Sequence, residues 1–514
     1  MAGKEVGRKA VYDSKSHHEQ DYASMESGQG KEREPLLSKR GGSDSGDSYT
    51  WSAILLPFLF PALGGLLFGY DIGATSGATV SLADPELSGT SWYDLSPLEN
   101  GLVVSGSLYG ALPGSIVAFN VADSLGRRRQ LLVASFIYAL GGVASAFTPN
   151  LTLLIIGRLV YGVGIGLAMH AAPLYISETT ATEIRGLMVS LKEVLNVCGI
   201  LLGYFVGSLT INAVGGWRIM YGVAIPIAVV MGLGIWWLPP SPRWLLLQAV
   251  QGNLAVEEAK RRARATLLRV RGGDKVDQSK IDEEVEATLS SLQETGGQEK
   301  VSFAELFRGK VNQRALAIGG GLVLLQQITG QPSVLYYAAT ILQSAGFPAA
   351  SDATVVSVFL GFWKLLLTLV ATFYVDKLGR RPLLITGVSG ILLSLLALAA
   401  YYSFALGVPF LAIAALLVYV GSYQLSFGPI SWLMVSEVFP LRTRGRAVSL
   451  TTLINFGANA VVALAYSPIQ EAIGASFTFL IFAVIAVVAL VFVIFSVPET
   501  KGLSLEEIEN KLSQ

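Results

Sequence analysis

One charged residue interrupts the first long apolar run of the chain, which begins near Trp51. Asp71, in the segment 66–73, is the only charge in that run. A carboxylate in hydrocarbon costs about 2.5–3.5 kcal/mol on insertion scales unless it is paired, hydrated or protonated, so an ionisable residue inside a membrane is a functional candidate by default. The structural alternatives are an Asp at the wet end of a helix and an Asp buried in a packing ion pair.

A basic residue in the fourth apolar run is the natural partner for this carboxylate. Arg158 lies in the apolar segment 155–159, and a guanidinium keeps its charge. Contact with Arg158 would favour ionised Asp71, and loss of that contact in another conformation would favour the protonated acid. A carboxyl that changes partner in this way takes up a proton on one side of a membrane and releases it on the other. The pair therefore predicts proton coupling, with a static ion pair as the alternative.

The composition indicates a polytopic membrane protein. Of 514 residues, 52% are hydrophobic and only 14% are charged, whereas soluble domains carry about 25% charged residues. Lys+Arg and Asp+Glu balance at 37 each, which gives no indication of nucleic-acid binding. The chain has one cysteine, Cys198, and three scattered histidines, so we expect no disulfide framework and no metal site. Without a nucleophile–histidine–acid set or a phosphate loop, we expect no enzyme and no cofactor.

Twelve apolar runs are long enough to span a bilayer. They lie near 53–76, 99–121, 131–148, 151–175, 187–210, 218–239, 314–341, 353–375, 383–404, 408–436, 447–468 and 475–497. These runs predict a polar, disordered N-terminal tail over 1–50, a six-helix bundle over 51–239, a loop with short helices over 240–313, a second six-helix bundle over 314–497, and a tail over 498–514.

Basic residues crowd every second connection between the apolar runs. The connections at 77–98, 145–151, 211–216, 344–352, 405–408 and 469–474 contain no Lys or Arg. The positive-inside rule therefore places both termini and the 240–313 loop in the cytoplasm. The tail over 1–50 lacks an apolar signal region and is too acidic for a transit peptide. Its acidic residues before Leu36 and Leu37 resemble a sorting signal read by an adaptor, although a chance pair of leucines is the alternative.

The two predicted bundles carry similar polar motifs at matching positions. Asp123 to Arg128 matches Asp376 to Arg381, and the segment 237–243 answers 496–501. Arg–carboxylate pairs can be bidentate and directional, and across a moving interface they could latch one conformation. Anchoring of the topology by positive charge is the alternative. The candidate gating residues at this face are Asp123, Arg127, Glu178, Arg185, Asp376, Arg380, Glu437 and Arg444.

Together with this repeat, three further motifs resemble the sugar porters of the major facilitator superfamily. The motifs are the segments 326–330, 428–432 and 498–502, and the resemblance spans 51–505. It is greatest to the plant vacuolar glucose transporters and the D-xylose–proton symporter-like group. The resemblance implies an all-α membrane protein with twelve transmembrane helices in two six-helix bundles that alternate access to a central cavity. In coupled members an Asp and an Arg at the positions of Asp71 and Arg158 carry the proton, and facilitators have a neutral residue instead of the Asp.

The cavity implied by the resemblance needs amides and carboxyls for sugar hydroxyls, and an aromatic face for the ring. A hydroxyl left without a partner inside a protein costs about 1–3 kcal/mol. The candidate sugar-binding residues are Gln326, Gln327, Gln331, Gln424, Trp432, Asn455 and Asn459, with hydrogen bonding between helices as the alternative for each. Tyr336 and Tyr337 follow a predicted helix break at Gly330 and Pro332, where the family has a mobile external gate.

Four positions depart from the family pattern. Glu193 stands where the family usually has Gln, Pro332 where it has Asn, Lys364 where many members have Asn, and Pro240 where it has Glu. Glu193 and Lys364 are also candidate sugar-binding residues. Because each charge alone would be expensive in the cavity, we predict that the two form an ion pair across it.

These patterns predict a proton-coupled transporter of a glucose- or xylose-type monosaccharide. The alternatives are an uncoupled sugar facilitator, a polyol or inositol transporter, and a transporter-like sugar sensor. We expect a monomer whose partners are the sugar, protons, membrane lipids and a sorting adaptor at Leu36 and Leu37. The vacuolar membrane is the expected location, with the plasma membrane and the plastid envelope as alternatives.

Overall fold

The structure is a computed structural model that describes residues 49–296, 303–347, 349–404, 407–440, 442–503 and 505–513. The described residues form helices and contain no strand. The tail and the sorting signal predicted within residues 1–48 lie outside the described residues. The helices are α1 Trp51–Ala83, α2 Pro97–Leu125, α3 Arg127–Ala146, α4 Leu151–Thr179, α5 Arg185–Thr210, α6 Gly216–Gly222, α7 Ala224–Trp237, α8 Pro242–Val250, α9 Val256–Arg271, α10 Gln278–Gly296, α11 Lys310–Ile328, α12 Gln331–Tyr336, α13 Ala338–Ser344, α14 Ala350–Leu378, α15 Arg380–Ser403, α16 Pro409–Leu425, α17 Phe427–Val438, α18 Arg444–Ser496 and α19 Leu505–Ser513.

Within the described residues, ten helical segments are long and apolar enough to cross a membrane. One of them, α18, has 53 residues and contains a non-helical residue, Gly474, with φ 81° and ψ 164°. At about 1.5 Å per residue it is more than twice as long as a bilayer core is thick, so it comprises two spans. The series α11–α13 supplies one more span, broken at Gly330, whose φ is +99°. The predicted twelve-span, all-α architecture is confirmed.

The spans form a first bundle, α1–α7, and a second bundle, α11–α18. In the first bundle α1 packs on α5, and α4 packs on both α2 and α3; in the second, α18 packs on α11 and α15. The bundles meet along two pairs of helices, α2 with α18 and α5 with α14. We call the face where α3 and α15 begin the basic face, and the other end of the spans the opposite face.

Close approach of backbones holds α1 against α5. A Cβ at Gly199 would lie 2.1 Å from the carbonyl oxygen of Leu66, and one at Gly69 would lie 1.8 Å from that of Asn196. Small residues at such contacts let helices approach closely in a membrane, where the hydrophobic effect does not drive helix association. The helix that carries Asp71 is therefore fixed in depth and rotation by glycine contacts within the two turns that precede Asp71.

Helices α8–α10 form a small separate core at the basic face, around Leu246, Leu267 and Ile281. Arg271, 3% exposed, joins this core to the first bundle. Its guanidinium donates to both carboxylate oxygens of Glu284 at 2.6 and 2.9 Å, and its carbonyl accepts the N–H of Thr50 at 2.7 Å. The α8–α10 unit is thereby tied to the start of α1.

A carboxylate caps the start of α15. Glu499 accepts the backbone N–H groups of Arg380 at 3.1 Å, Arg381 at 3.0 Å, Thr500 at 3.0 Å and Lys501 at 2.9 Å. Partial burial by itself raises the pKa of Glu499, but these N–H groups lower it, and its pKa lies below the ordinary value of 4.5. The corresponding residue of the first bundle is Pro240, which has no carboxylate to accept the N–H groups at the start of α3.

Replacing Gly199 with Ala tests the contact between α1 and α5. The new methyl group forces the helices apart, and overpacking of this kind costs about 1–3 kcal/mol. We expect the thermal unfolding midpoint of the detergent-purified protein to fall. Gly186→Ala, in the same helix with no atom within 4 Å of the added Cβ, is the matched control and leaves the midpoint unchanged. Equal midpoints for the two variants would contradict the close contact.

Replacing Glu499 with Gln tests the cap on α15. Because the pKa of Glu499 is lowered in the folded protein, its stabilisation is present above the unfolded pKa and is lost as the pH falls through the folded value. We expect the variant to melt below the unmodified protein near neutral pH and the two midpoints to converge below about pH 4. Melting curves between about pH 3 and pH 7 measure this difference. Glu471→Gln, at an exposed acid on the opposite face, is the control, and a gap that does not depend on pH would contradict the role of the charge.

Candidate functional site

The structure brings Asp71 of α1 and Arg158 of α4 together as a buried ion pair. Their exposed fractions are 3% and 1%. One guanidinium nitrogen, Nη1, contacts Asp71 Oδ1, and the other, Nη2, lies 3.2 Å from Oδ2. This two-point geometry fixes the orientation of both groups as well as their separation. Asp71 therefore does not lie at the wet end of its helix.

Arg158 is also held by groups that are independent of Asp71. Its Nε donates to the carbonyl of Val103 at 3.0 Å, and its Nη2 donates to the carbonyl of Val104 at 3.3 Å. The ring of Tyr221 lies 5.0 Å from the guanidinium carbon. Arg158 consequently keeps partners on α2 if Asp71 becomes neutral, whereas Asp71 without Arg158 would retain one partner, Ser107.

Ser107 of α2 completes the cluster and was not predicted. Its Oγ donates to Asp71 Oδ2 at 2.7 Å and accepts from Arg158 Nη2 at 3.2 Å. A single serine in an apolar helix gives no distinctive pattern, but the spacing of Gly106 and Gly110 around it does indicate close helix packing. A Cβ at Gly106 would lie 2.9 Å from Arg158 Cβ.

A small cavity of about 10 Å³ borders the ion pair, room for about one water molecule. Tyr70, Tyr161 and Tyr221 line it together with Ser145. The hydroxyl groups of Tyr70 and Tyr161 are already bound to the carbonyls of Met220 and Leu67. The cavity is therefore enclosed by aromatic rings, with the Asp71 carboxylate as its acidic group.

Gln326 and Gln327 lie near the end of α11, 3% and 4% exposed. Gln326 donates through Nε2 to the carbonyl of Phe427 at 3.1 Å, beside the break between α16 and α17. The Oε1 atoms of both glutamines are buried without a hydrogen-bond partner. A buried acceptor without a partner costs about 1–3 kcal/mol. The Oε1 atoms of Gln326 and Gln327 are therefore each available to accept a hydrogen bond.

Three more of the predicted sugar-binding residues lie on α17 and α18 of the second bundle. Asn459 is 6% exposed, and its Oδ1 has no hydrogen-bond partner. Asn455, one turn earlier, is half-buried. Trp432 is 37% exposed, so much of its indole surface is accessible. It lies on α17, the second part of the span that is broken between α16 and α17. Gln331 is half-buried at the first position of α12.

The predicted ion pair between Glu193 and Lys364 is absent from this conformation, because each residue has a nearer partner. Lys364 Nζ donates to Gln424 Oε1 at 2.7 Å. Glu193 is half exposed and accepts from Asn196 Nδ2 at 2.9 Å, with Lys192 Nζ at 3.9 Å. Gln424 is therefore the hydrogen-bond partner of Lys364 in this conformation. Glu193 and Lys364 lie on different bundles but are close enough for electrostatic interaction.

The charged residues at the basic face form two matching triads. In the first bundle Glu178 accepts from Arg127 Nε at 3.2 Å and from Ser241 Oγ at 2.5 Å. In the second bundle Glu437 accepts from Arg380 Nη2 at 3.0 Å and from Thr500 Oγ1 at 2.6 Å. Each Arg–Glu pair lies within one bundle, and its third member, Ser241 or Thr500, follows the last helix of that bundle. In this conformation the pairs tie the ends of neighbouring helices together, and their action as latches across the moving interface stays a prediction.

The remaining candidate gating residues at the basic face have lesser contacts. Asp123 lies 3.4 Å from Arg127 and is largely exposed. Arg444 donates to the carbonyl of Phe439 at 3.1 and 3.2 Å. Arg185 begins α5, and its buried Nε has no hydrogen-bond partner. The side chain of Asp376 lies outside the described residues.

At the opposite face the bundles are joined by hydrogen bonds. Tyr204 of α5 donates to the carbonyl of Leu335 at 2.7 Å, and the Oγ of Ser76 accepts the N–H of Ala339 at 3.1 Å. Tyr336 and Tyr337 lie between these two contacts and are each 1% exposed. The opposite face is thus closed around α12 and α13.

Residues 58–512 match the family described as "Sugar (and other) transporter". The chain is 60% identical over 475 residues to the D-xylose-proton symporter-like 3, chloroplastic, of Arabidopsis thaliana, covering 91% of this chain and 84% of the relative.

Solved structures of one bacterial transporter also match. The partially occluded inward open xylose transporter XylE from E. coli has a TM-score of 0.72 at 26% identity, covering 88% of this chain and all of that chain. The proton:xylose symporter XylE of the major facilitator superfamily, bound to 6-bromo-6-deoxy-D-glucose, has a TM-score of 0.71 at 28% identity, covering 90% and 100%. With the family match over 58–512, these likenesses show that the chain belongs to the sugar transporter family of the major facilitator superfamily.

Proposed function

We propose that this protein is a proton-coupled monosaccharide transporter in which Asp71 carries the proton and Arg158 is its partner. The observation that carries the proposal is the buried two-point contact between these residues. A facilitator has no need of a carboxylate that is costly to place in hydrocarbon. The printed names of the matching relatives, a D-xylose-proton symporter-like protein and a proton:xylose symporter, support the same function.

The proton cycle follows from the unequal anchoring of the pair. Protonation of Asp71 forms an O–H bond on the carboxyl and removes the charge that Arg158 contacts. Arg158 then remains on the carbonyls of Val103 and Val104. The attraction between α1 and α4 is weakened, so the helices of the first bundle can change their arrangement. Loss of the proton restores the ion pair.

The sugar is proposed to bind mainly to the second bundle. The orphaned oxygens of Gln326, Gln327 and Asn459 accept hydroxyl donors, and Trp432 offers an aromatic face to the C–H surface of the ring. A hydroxyl also accepts hydrogen bonds, and Lys364 has donors beyond the one it gives to Gln424. This mixture of acceptors and donors suits a monosaccharide; the same groups would accept a polyol, which is the second candidate substrate.

The closed opposite face supports alternating access. If the basic face is cytoplasmic, as the charge distribution predicts, this conformation faces the cytoplasm. The proposed location is the vacuolar membrane, on the leucine pair Leu36 and Leu37, which lies outside the described residues. The name of the chloroplastic relative makes the plastid envelope the competing location. A fluorescent fusion of the full chain distinguishes the two.

Replacing Asp71 with Asn tests the proton-carrying role. The variant keeps the size of the side chain but has no carboxyl to titrate, so it cannot couple the two fluxes. In proteoliposomes with an acid-outside gradient we expect accumulation of radiolabelled D-glucose or D-xylose to fall to the equilibrium ratio, with counterflow exchange retained. Asp352→Asn, at an exposed acid in the first turn of α14, is the control. Unchanged accumulation driven by the gradient would overturn the assignment.

A double-mutant cycle tests whether Glu193 and Lys364 meet elsewhere in the transport cycle. Each single replacement, Glu193→Gln or Lys364→Asn, leaves the other charge without its countercharge. If the pair forms in another conformation, the double variant should transport faster than the additive expectation by about fivefold or more, a coupling of about 1 kcal/mol. The measurement is the initial uptake rate of the four proteins at equal density. Additive effects would show that the two charges act separately at every stage.

A further inference from the structure

A buried lysine lies midway along α14. Lys364 is 5% exposed, and a charged group at this depth in a membrane is costly unless it is paired or hydrated. Its Nζ donates to Gln424 Oε1 at 2.7 Å and lies 5.4 Å from the centre of the Tyr423 ring. An amide oxygen and an aromatic ring both attract an ammonium group, but neither carries the negative charge that would neutralise it.

The acid that interacts electrostatically with Lys364 has contacts of its own. Glu193 of α5 accepts from Asn196 Nδ2 at 2.9 Å, and its carboxylate lies 3.9 Å from Lys192 Nζ. Within the described ranges of the chain, no carboxylate oxygen lies within 4.0 Å of Lys364 Nζ. Lys192 and Glu193 balance each other, so the positive charge of Lys364 is the one without a contacting acid.

Lys364 adjoins the groups that are proposed to bind the sugar. Its partners Tyr423 and Gln424 lie in the last turn of α16, just before the break between α16 and α17. The ring of Tyr423 lies 6.4 Å from that of Phe427, the first residue of α17. The carbonyl of Phe427 accepts from Gln326. The ammonium group therefore lies at the same helix break as a glutamine of the proposed sugar site.

We propose that Lys364 binds a carboxylate of the substrate, and that this protein transports hexuronates in addition to neutral monosaccharides. A substrate carboxylate supplies the negative charge that the protein does not place in contact with Lys364. Hydrogen bonds between an ammonium and a carboxylate are stronger than those to a neutral group. This inference rests on the proposed sugar transport and adds an anionic class of substrate to it.

D-Glucuronate has the chemistry that fits this arrangement. It keeps the ring and the ring hydroxyls of D-glucose and carries a carboxylate in place of the C6 hydroxymethyl group. Gln326, Gln327 and Trp432 can therefore bind its ring as they bind that of a neutral sugar, while the carboxylate contacts Lys364. A phosphate monoester fits less well, because its charge of about −1.5 to −2 near neutral pH exceeds that of one ammonium group.

The test compares Lys364→Gln with Lys377→Gln in the full chain reconstituted in proteoliposomes. The readout is the ratio of the concentrations of D-glucuronate and of D-glucose that halve the counterflow of radiolabelled D-glucose. For Lys364→Gln we expect this ratio to rise at least about tenfold, the effect of losing a hydrogen bond to a charged group. Lys377→Gln removes an exposed cation that also lies near a tyrosine ring, at the basic-face end of α14, and leaves the ratio unchanged.

Two further measurements define the substrate. Radiolabelled D-glucuronate should enter proteoliposomes that contain the unmodified protein, which shows that it is transported as well as bound. D-Glucose 6-phosphate, which carries the larger charge, should compete with D-glucose much less than D-glucuronate does.

Gln424→Glu provides a second route if Lys364→Gln does not fold. It places a carboxylate where Lys364 now contacts an amide, so the protein itself supplies the charge that the substrate would bring. We expect the ratio to rise as it does for Lys364→Gln. An unchanged ratio in the folded variants would show that Lys364 does not distinguish the carboxylate, and it would overturn the inference.

The inference is also overturned if D-glucuronate does not enter, or if D-glucose 6-phosphate competes as well as D-glucuronate. If D-glucose shows no counterflow, or if Asp71→Asn still accumulates it, the proposed function itself has failed. If D-glucose is transported and coupled through Asp71 while D-glucuronate does not enter, only the inference has failed.

Discussion

The constraint on which the rest of the structure depends is that a charge inside a membrane needs a partner. Asp71 and Arg158 satisfy each other through two contacts, and the surrounding architecture keeps them in place. Glycine contacts set the position of α1 against α5, and the carbonyls of Val103 and Val104 hold the guanidinium from α2. Arg158 is held by α2 independently of Asp71. The ion pair is therefore suited to forming and breaking without unfolding the helices around it.

The two duplicated bundles have equivalent charged groups at the basic face but different functional groups in their interiors. The triads around Glu178 and Glu437 have nearly the same geometry, as expected of a repeat. The interiors differ: the first bundle holds the ion pair, and the second holds the orphaned amide oxygens of Gln326, Gln327 and Asn459. If Asp71 carries the proton and these amides bind the sugar, as proposed, coupling crosses the interface between the bundles, where α12 and α13 contact the first bundle.

The spans could be predicted from sequence because a bilayer demands about twenty apolar residues in each. The partner of Asp71 was also within reach, since so few charges occur in the apolar runs. The hydrogen-bond partner of Lys364 could not be predicted in the same way. Its Nζ donates to Gln424 rather than to Glu193, and the spacing of residues along the chain does not determine which of several nearby polar groups it contacts. Repeat offsets related Arg127 to Arg380, but they did not reveal that each pairs within its own bundle. Ser107 had no pattern to mark it.

The number of acids that exchange protons limits the ratio of sugar concentrations that a proton-coupled transporter can build. Among the residues that the structure describes, Asp71 is the one acidic residue that is buried as a whole; the side chain of Glu178 is also only 6% exposed, but it lies at the basic face. A carrier with a single exchanging carboxyl moves one proton in each cycle. Each unit of pH difference is worth 1.36 kcal/mol for that proton, so it sustains at most a tenfold ratio of sugar concentrations across the membrane. Steeper accumulation would require a membrane potential to act on the same charge, at about 2.3 kcal/mol per 100 mV. If Asp71 is the only acid that exchanges a proton, as proposed, this limit applies to the sugar gradient that the protein can build.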